Sequence, residues 1–157
     1  MLLLLGDGSQ VPVTEVPGEG PWTFLVLAAT PDPPEFLTRF GRVVLPDLGD
    51  RPGREAAPDT PGFLDLVDDL DQVRTRAGLG RPVLVGLDDL APLALRAAAD
   101  QPWAWRALLV TGPAELPRLE VPALALDDDP APAVEELLGR LGPGPGWAGI
   151  APDAPPR

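Results

Sequence analysis

The sequence predicts an α/β domain in which a mostly parallel sheet is flanked by helices on both faces, with an N-terminal β-hairpin at one edge. Three observations predict it. Runs of almost continuous apolar residues recur along the chain, the segments between them carry helix start and stop signals, and the N-terminal stretch alternates around a Gly-Asp-Gly turn. A half-exposed sheet alternates apolar and polar residues, whereas strands covered on both faces are apolar throughout. The runs therefore point to parallel pairing between two helical layers.

In order, Leu2 to Leu5, the turn Gly6-Asp7-Gly8 and the alternating Val11, Val13, Glu15 make the hairpin, with Pro12 keeping part of it at an edge. The buried strands are Phe24 to Leu27, Val43 to Leu45, Val83 to Val85 and Ala107 to Val110, and Ala123 to Leu126 is a fifth run of lower β propensity. A first short helix is expected from Asp32 as N-cap, Pro33 in the first turn, Phe36, Leu37 and Phe40 on one face, and Gly41 as terminator. In the second, Thr60 caps, Pro61 starts, and Phe63, Leu66, Val67, Leu70, Val73 and Ala77 recur at three and four before Gly78. A third spans about Leu90 to Asp100, and a fourth carries Val134, Leu137, Leu138 and Leu141 on one stripe before Gly142. Beyond it, Trp147 to Ile150 is the one candidate for a further strand.

The 157 residues suffice for one self-supporting core, so residues 1–150 are expected to form a single domain and 151–157 a Pro-rich tail. Without Cys or His, the chain offers no thiolate nucleophile, disulfide or N/S zinc site, and no side chain that exchanges protons near neutral pH at its ordinary pKa. Carboxylates could hold only a hard cation, and no cofactor and no metal is expected. All 12 basic residues are Arg against 24 acidic ones, a net charge of −12 that repels nucleic acid and anionic membranes. No apolar run approaches a membrane span or a signal segment, so a cytoplasmic location is expected.

Several stretches resemble the α/β-hydrolase family. Asp7-Gly8 and Gly18-Glu19-Gly20-Pro21 look like its first hairpin and the approach to its third strand. Arg42-Val43-Val44-Leu45-Pro46-Asp47-Leu48-Gly49 is similar to its R-V-I-x-x-D-L-x-G strand exit, and Asp68-Asp69-Leu70 matches a D-D-L of the next helix. The segment Pro82 to Leu90 resembles the strand into the nucleophile elbow, V-L-V-G-x-S-x-G, with Ala97-Ala98-Ala99 and Pro102 following at the usual distance. Leu119 to Leu126 resembles the family's I-x-x-P-V-L-x-L strand, after which the catalytic acid falls near Asp129.

The departures from the pattern bear on activity. Asp88 stands in the place of the elbow serine, Leu90 in that of the second elbow glycine, and Ala28-Ala29 in that of the oxyanion-loop histidine and glycine. No histidine matches the terminal catalytic one, and the short span from Thr111 to Val121 leaves no room for a lid. The resemblance implies an α/β-hydrolase-fold protein without catalysis that binds a ligand or partner, with Ala28, Ala29, Asp88 and Asp89 as the ligand-binding candidates. By family position, Asp88 and Asp129 are the catalytic candidates.

The dehalogenase and epoxide-hydrolase branches place an aspartate nucleophile at the elbow, so a diverged hydrolase using Asp88 is the alternative. A simpler role for the Asp88-Asp89 pair is capping, with Asp89 as N-cap and Pro92 as the third helical residue, and Leu90 argues against a sharp elbow. Asp127-Asp128-Asp129 before Pro130 fits a solvated loop and cap better than a cation site. Trp103 and Trp105 fit a hydrophobic lip better than a ligand-stacking pair. A third reading is a structural remnant kept through oligomerisation. The partners expected are a second copy in a homodimer, an unidentified protein or a small molecule.

Overall fold

In a computed structural model, which describes residues 2–6, 8–28, 34–48, 61–111 and 116–142, the hairpin forms as its sequence requires. Leu2–Leu4 (β1) pairs antiparallel with Gln10–Val16 (β2), closed by the Leu5 N–H on the Ser9 carbonyl at 2.8 Å. The Gly6 N–H donates to Gln72 Oε1 at 2.6 Å, which ties this turn to a helix packed on the sheet. Pro12 lies one residue before the register that joins β2 to β4, and its carbonyl accepts from the Asp47 N–H at 2.8 Å.

The five apolar runs are strands Trp22–Leu27 (β3), Gly41–Pro46 (β4), Val83–Gly86 (β5), Ala107–Thr111 (β6) and Ala123–Leu126 (β7). They lie parallel to one another, and β2 joins β4 antiparallel, giving the order β1-β2-β4-β3-β5-β6-β7. The helices are Glu35–Thr38 (α1), Pro61–Arg76 (α2), Ala91–Asp100 (α3) and Ala131–Leu141 (α4). None of the described helices is long and apolar enough to cross a membrane.

Alternate residues of the buried strands face two separate cores, which is why these strands show no polar alternation. Leu25, Leu27, Val44, Leu84, Leu108 and Val110 pack under α2 and α3, against Leu66, Leu70, Leu93 and Ala97. Phe24, Val26, Val43, Val85 and Leu109 face the other way, against Leu37 of α1 and Val134, Leu137 and Leu138 of α4. On α2 the three-and-four spacing places Phe63, Leu66, Val67, Leu70 and Val73 in the core. Arg74 closes its carboxyl end, pairing with Asp71 at 2.7 Å and donating to the Gly80 carbonyl at 2.6 Å.

Some boundaries differ from expectation. Helix α1 is only four residues long with Pro34 as its N-cap, and Gly41 is the first residue of β4 rather than a helix terminator. The reason is packing: a Cβ on Gly41 would sit 1.8 Å from the Trp22 carbonyl oxygen, so glycine is needed where β4 meets β3. The expected caps Asp32, Pro33 and Thr60, the Trp147 to Ile150 stretch and the tail lie outside the described residues.

Gly41 and Gly139 make a matched test of this packing. Gly41→Ala must displace backbone and should cost about 3 kcal/mol or more. Gly139, on the exposed face of α4, has nothing within 4 Å of an added Cβ. There Gly139→Ala should stabilise by about 0.5–1 kcal/mol through helix propensity. Urea denaturation of both variants measures the difference, and equal effects would contradict the close β3–β4 approach.

Candidate functional site

The carboxyl ends of β3, β5, β6 and β7 lie along one edge of the sheet, where open α/β sheets place their ligands. Strand β5 ends at Gly86, and the Leu87 N–H donates to the Leu27 carbonyl at 2.9 Å, which keeps the chain beside β3 for one more residue. Asp88 then turns sharply with φ of 54°, and it is the only non-glycine with positive φ among the described residues. Its N–H donates to Thr111 Oγ1, at the end of β6, at 2.6 Å. A 3-10 turn over Asp88–Leu90 leads directly into α3.

This abrupt strand-to-helix turn has the form expected of a nucleophile elbow, and it leaves Asp88 exposed at the sheet edge. A left-handed conformation costs a non-glycine residue roughly 1–2 kcal/mol, and aspartate is among the side chains that tolerate it best. The close crossing is made possible at Gly86, where a Cβ would lie 2.5 Å from the Ala94 Cβ and 3.0 Å from the Ala91 Cα. Leu90 does not block the turn as its bulk suggests. It is 3% exposed and fills the core under α2 and α3, while small Ala91 and Ala94 face the strand.

The capping assignment is corrected as well. Leu90 is the N-cap of α3 and Leu87 that of the 3-10 turn, and neither makes a side-chain cap bond. Pro92 therefore falls in the first turn of α3, and Asp88 and Asp89 lie before it, where acidic charge favours the positive end of a helix.

The other candidates divide. Ala28 is half-buried at the end of β3, next to the strand that carries the elbow, whereas Ala29 lies outside the described residues. Asp127, Asp128 and Asp129 are exposed beyond β7 on the same edge, and the Asp129 N–H donates to Asp127 Oδ1 at 3.0 Å, an Asx turn. Pro130, not an aspartate, is the N-cap of α4. Trp103 and Trp105 share no lip: Trp105 is wholly buried and Trp103 is 64% exposed. Thr111, which holds the elbow, carries a weak sequence signal as the first hydroxyl after the apolar run of β6.

The strain at Asp88 is measurable. Asp88→Gly should leave stability within about 0.5 kcal/mol of the parent, while Asp88→Val, β-branched at positive φ, should lose about 1–2 kcal/mol. Equal losses in thermal denaturation would mean that the left-handed turn is not held in solution.

No protein-family profile and no curated protein matches the chain at the level of sequence. Solved structures do match it in fold. An epoxide hydrolase from Vigna radiata superposes with a TM-score of 0.55 at 23% identity, over 76% of this chain and 40% of its own. The N-acyl homoserine lactonase AidH, complexed with N-butanoyl homoserine, gives 0.53 at 20% identity over 71% and 44%. A deformylase from Pseudomonas putida gives 0.51 at 21% identity over 74% and 50%. The chain thus spans half or less of the length of these structures. With the strand order, the hairpin and the elbow turn already in place, these likenesses show that the chain has the α/β-hydrolase fold.

Proposed function

We propose that this chain is a non-catalytic α/β-hydrolase-fold protein that binds a ligand or partner at the carboxyl edge of its sheet, around Ala28, Ala29, Asp88 and Asp89. One observation carries the reading: the elbow backbone is kept and pinned by Thr111, while the chain supplies no histidine to work beside it. A carboxylate nucleophile forms an ester that must be cleaved by activated water. A carboxylate base with an ordinary pKa near 4 is far from the optimum for that task at neutral pH. Without general-base help, worth roughly 10²- to 10⁴-fold, turnover fades towards background.

The positive φ of Asp88 favours a second reading, a diverged hydrolase of the dehalogenase or epoxide-hydrolase type with Asp88 as nucleophile. An elbow nucleophile is presented at the sheet edge by a turn of this kind.

The two readings part in one experiment. The purified chain should hydrolyse 4-nitrophenyl acetate, styrene oxide and 1-bromobutane no faster than its Asp88→Asn variant, and native mass spectrometry should find a retained ligand or partner. Saturable turnover lost with Asp88→Asn, or a stoichiometric ester mapped to Asp88, would establish the second reading instead.

A further inference from the structure

The opposite, amino end of the same strands carries a cleft of about 380 Å³ lined by Arg81, Pro102, Trp103, Arg106, Glu120, Val121 and Pro122. Arg81 stands just before β5 and Arg106 just before β6, tied side by side by the Arg106 N–H on the Pro82 carbonyl at 2.9 Å. Asp88 lies at the far end of β5, so at about 3.3 Å per residue the cleft is roughly 20 Å from the elbow.

In a chain with twice as many acids as bases, two guanidiniums here share a cleft and make no ion pair with a carboxylate among the described residues. Their hydrogen bonds go to backbone carbonyls instead, Arg81 to Trp105 at 3.1 Å and Arg106 to Leu141 at 2.7 Å. The Arg106 Nε is buried without a partner. Burial, and then the charge of Arg81, hold the Arg106 pKa below its ordinary value, so the pair repels as it stands. Two like charges held side by side are costly, and an anion between them relieves the repulsion.

The rest of the lining adds a second requirement. Trp103, with 64% of its surface exposed, and Pro102, Val121 and Pro122 give the cleft an apolar wall, and Glu120 reduces the charge of the lining to one net positive. The volume is at the small end of the range for small-molecule sites, too little for a folded partner. We propose that this cleft binds a small organic carboxylate carrying a flat apolar group, with Arg81 and Arg106 on the carboxylate and Trp103 against the flat face. Guanidinium forks match carboxylate oxygens in pairs, and an exposed indole supplies a stacking surface at little entropic cost.

The probe is 2-naphthoate, titrated into the intact chain by calorimetry and by nitrogen-15 NMR, with 2-naphthylmethanol and acetate as the uncharged and non-aromatic controls. Naphthoate should bind one to one and shift the Trp103 indole N–H and Arg106 Nε–H resonances, with each control weaker by about tenfold or more. Trp103→Ala, at an exposed position, should weaken naphthoate by about tenfold at unchanged melting temperature; Arg81→Gln, which also gives up the bond to the Trp105 carbonyl, should weaken it by about tenfold with its circular dichroism matching the parent, and Glu120→Gln should strengthen it. Arg106→Gln also removes the bond to Leu141, so it is read only where its circular dichroism matches the parent. Unsaturable naphthoate heats without movement of those resonances, equal affinity for the alcohol, or full affinity in both Arg81→Gln and Trp103→Ala would overturn the proposal. Those failures leave the reading of the Asp88 edge intact, because the two sites share no residue.

Discussion

Strand β5 and helix α3 approach closely where one hands over to the other, and the candidate site depends on that approach. Gly86 has no side chain, so Ala91 and Ala94 of the helix come within van der Waals reach of the strand backbone. That proximity leaves only Leu87 to Leu90 to reverse the chain, and a reversal so short requires one residue in a left-handed conformation. The residue is Asp88. Its exposure, the 3-10 turn after it and the bond from its N–H to Thr111 are consequences of the same tight approach. Any residue larger than glycine at position 86 would push α3 outward and relax the turn.

Most of the fold was legible in the sequence because burial on both faces leaves a strong signature. Phe24 to Leu27 and Val83 to Val85 have no polar residue to offer solvent, and the structure places successive residues of each in two different cores. Helix α2 was legible for a related reason, since a long amphipathic stripe admits one burial pattern. The first helix was not. Its few apolar residues, Phe36, Leu37 and Phe40, fit a helix of several turns or a single turn equally well, and the need for glycine at position 41 comes from the Trp22 carbonyl, a contact distant in sequence.

The site was read less well, and the error is instructive. Leu90 counted against a sharp elbow because glycine stands there in the family pattern, but a bulky residue is excluded only if its side chain faces the crossing. Here it turns into the core beneath α2 and α3, and Gly86 with two alanines meets the steric demand instead. Spacing alone carries no information about which way a side chain leaves a turn. The two tryptophans pose the same difficulty. Trp103 and Trp105 look equivalent in sequence, yet a 3-10 turn over Pro102–Ala104 sends them to different environments, one to solvent and the other to the core.

The charge distribution of the sheet bears on which chemistry each edge supports. The carboxyl edge gathers Asp88, Asp89, Asp127, Asp128 and Asp129, all exposed. Acyl transfer and ester hydrolysis develop negative charge on an oxygen, and catalysis of either rests on positive potential or aligned N–H donors at that oxygen. Exposed carboxylates act through water and are partly screened, so each contributes little, but all five act with the same sign. Negative charge of that kind disfavours an oxyanion beside it, which supports the binding role proposed for this edge. At the amino edge Arg81 and Arg106 create the reverse field, which is what the proposed carboxylate would meet. On the two proposals made above, both ends of the sheet would serve recognition, the carboxyl edge without catalysis and the amino edge for an anion.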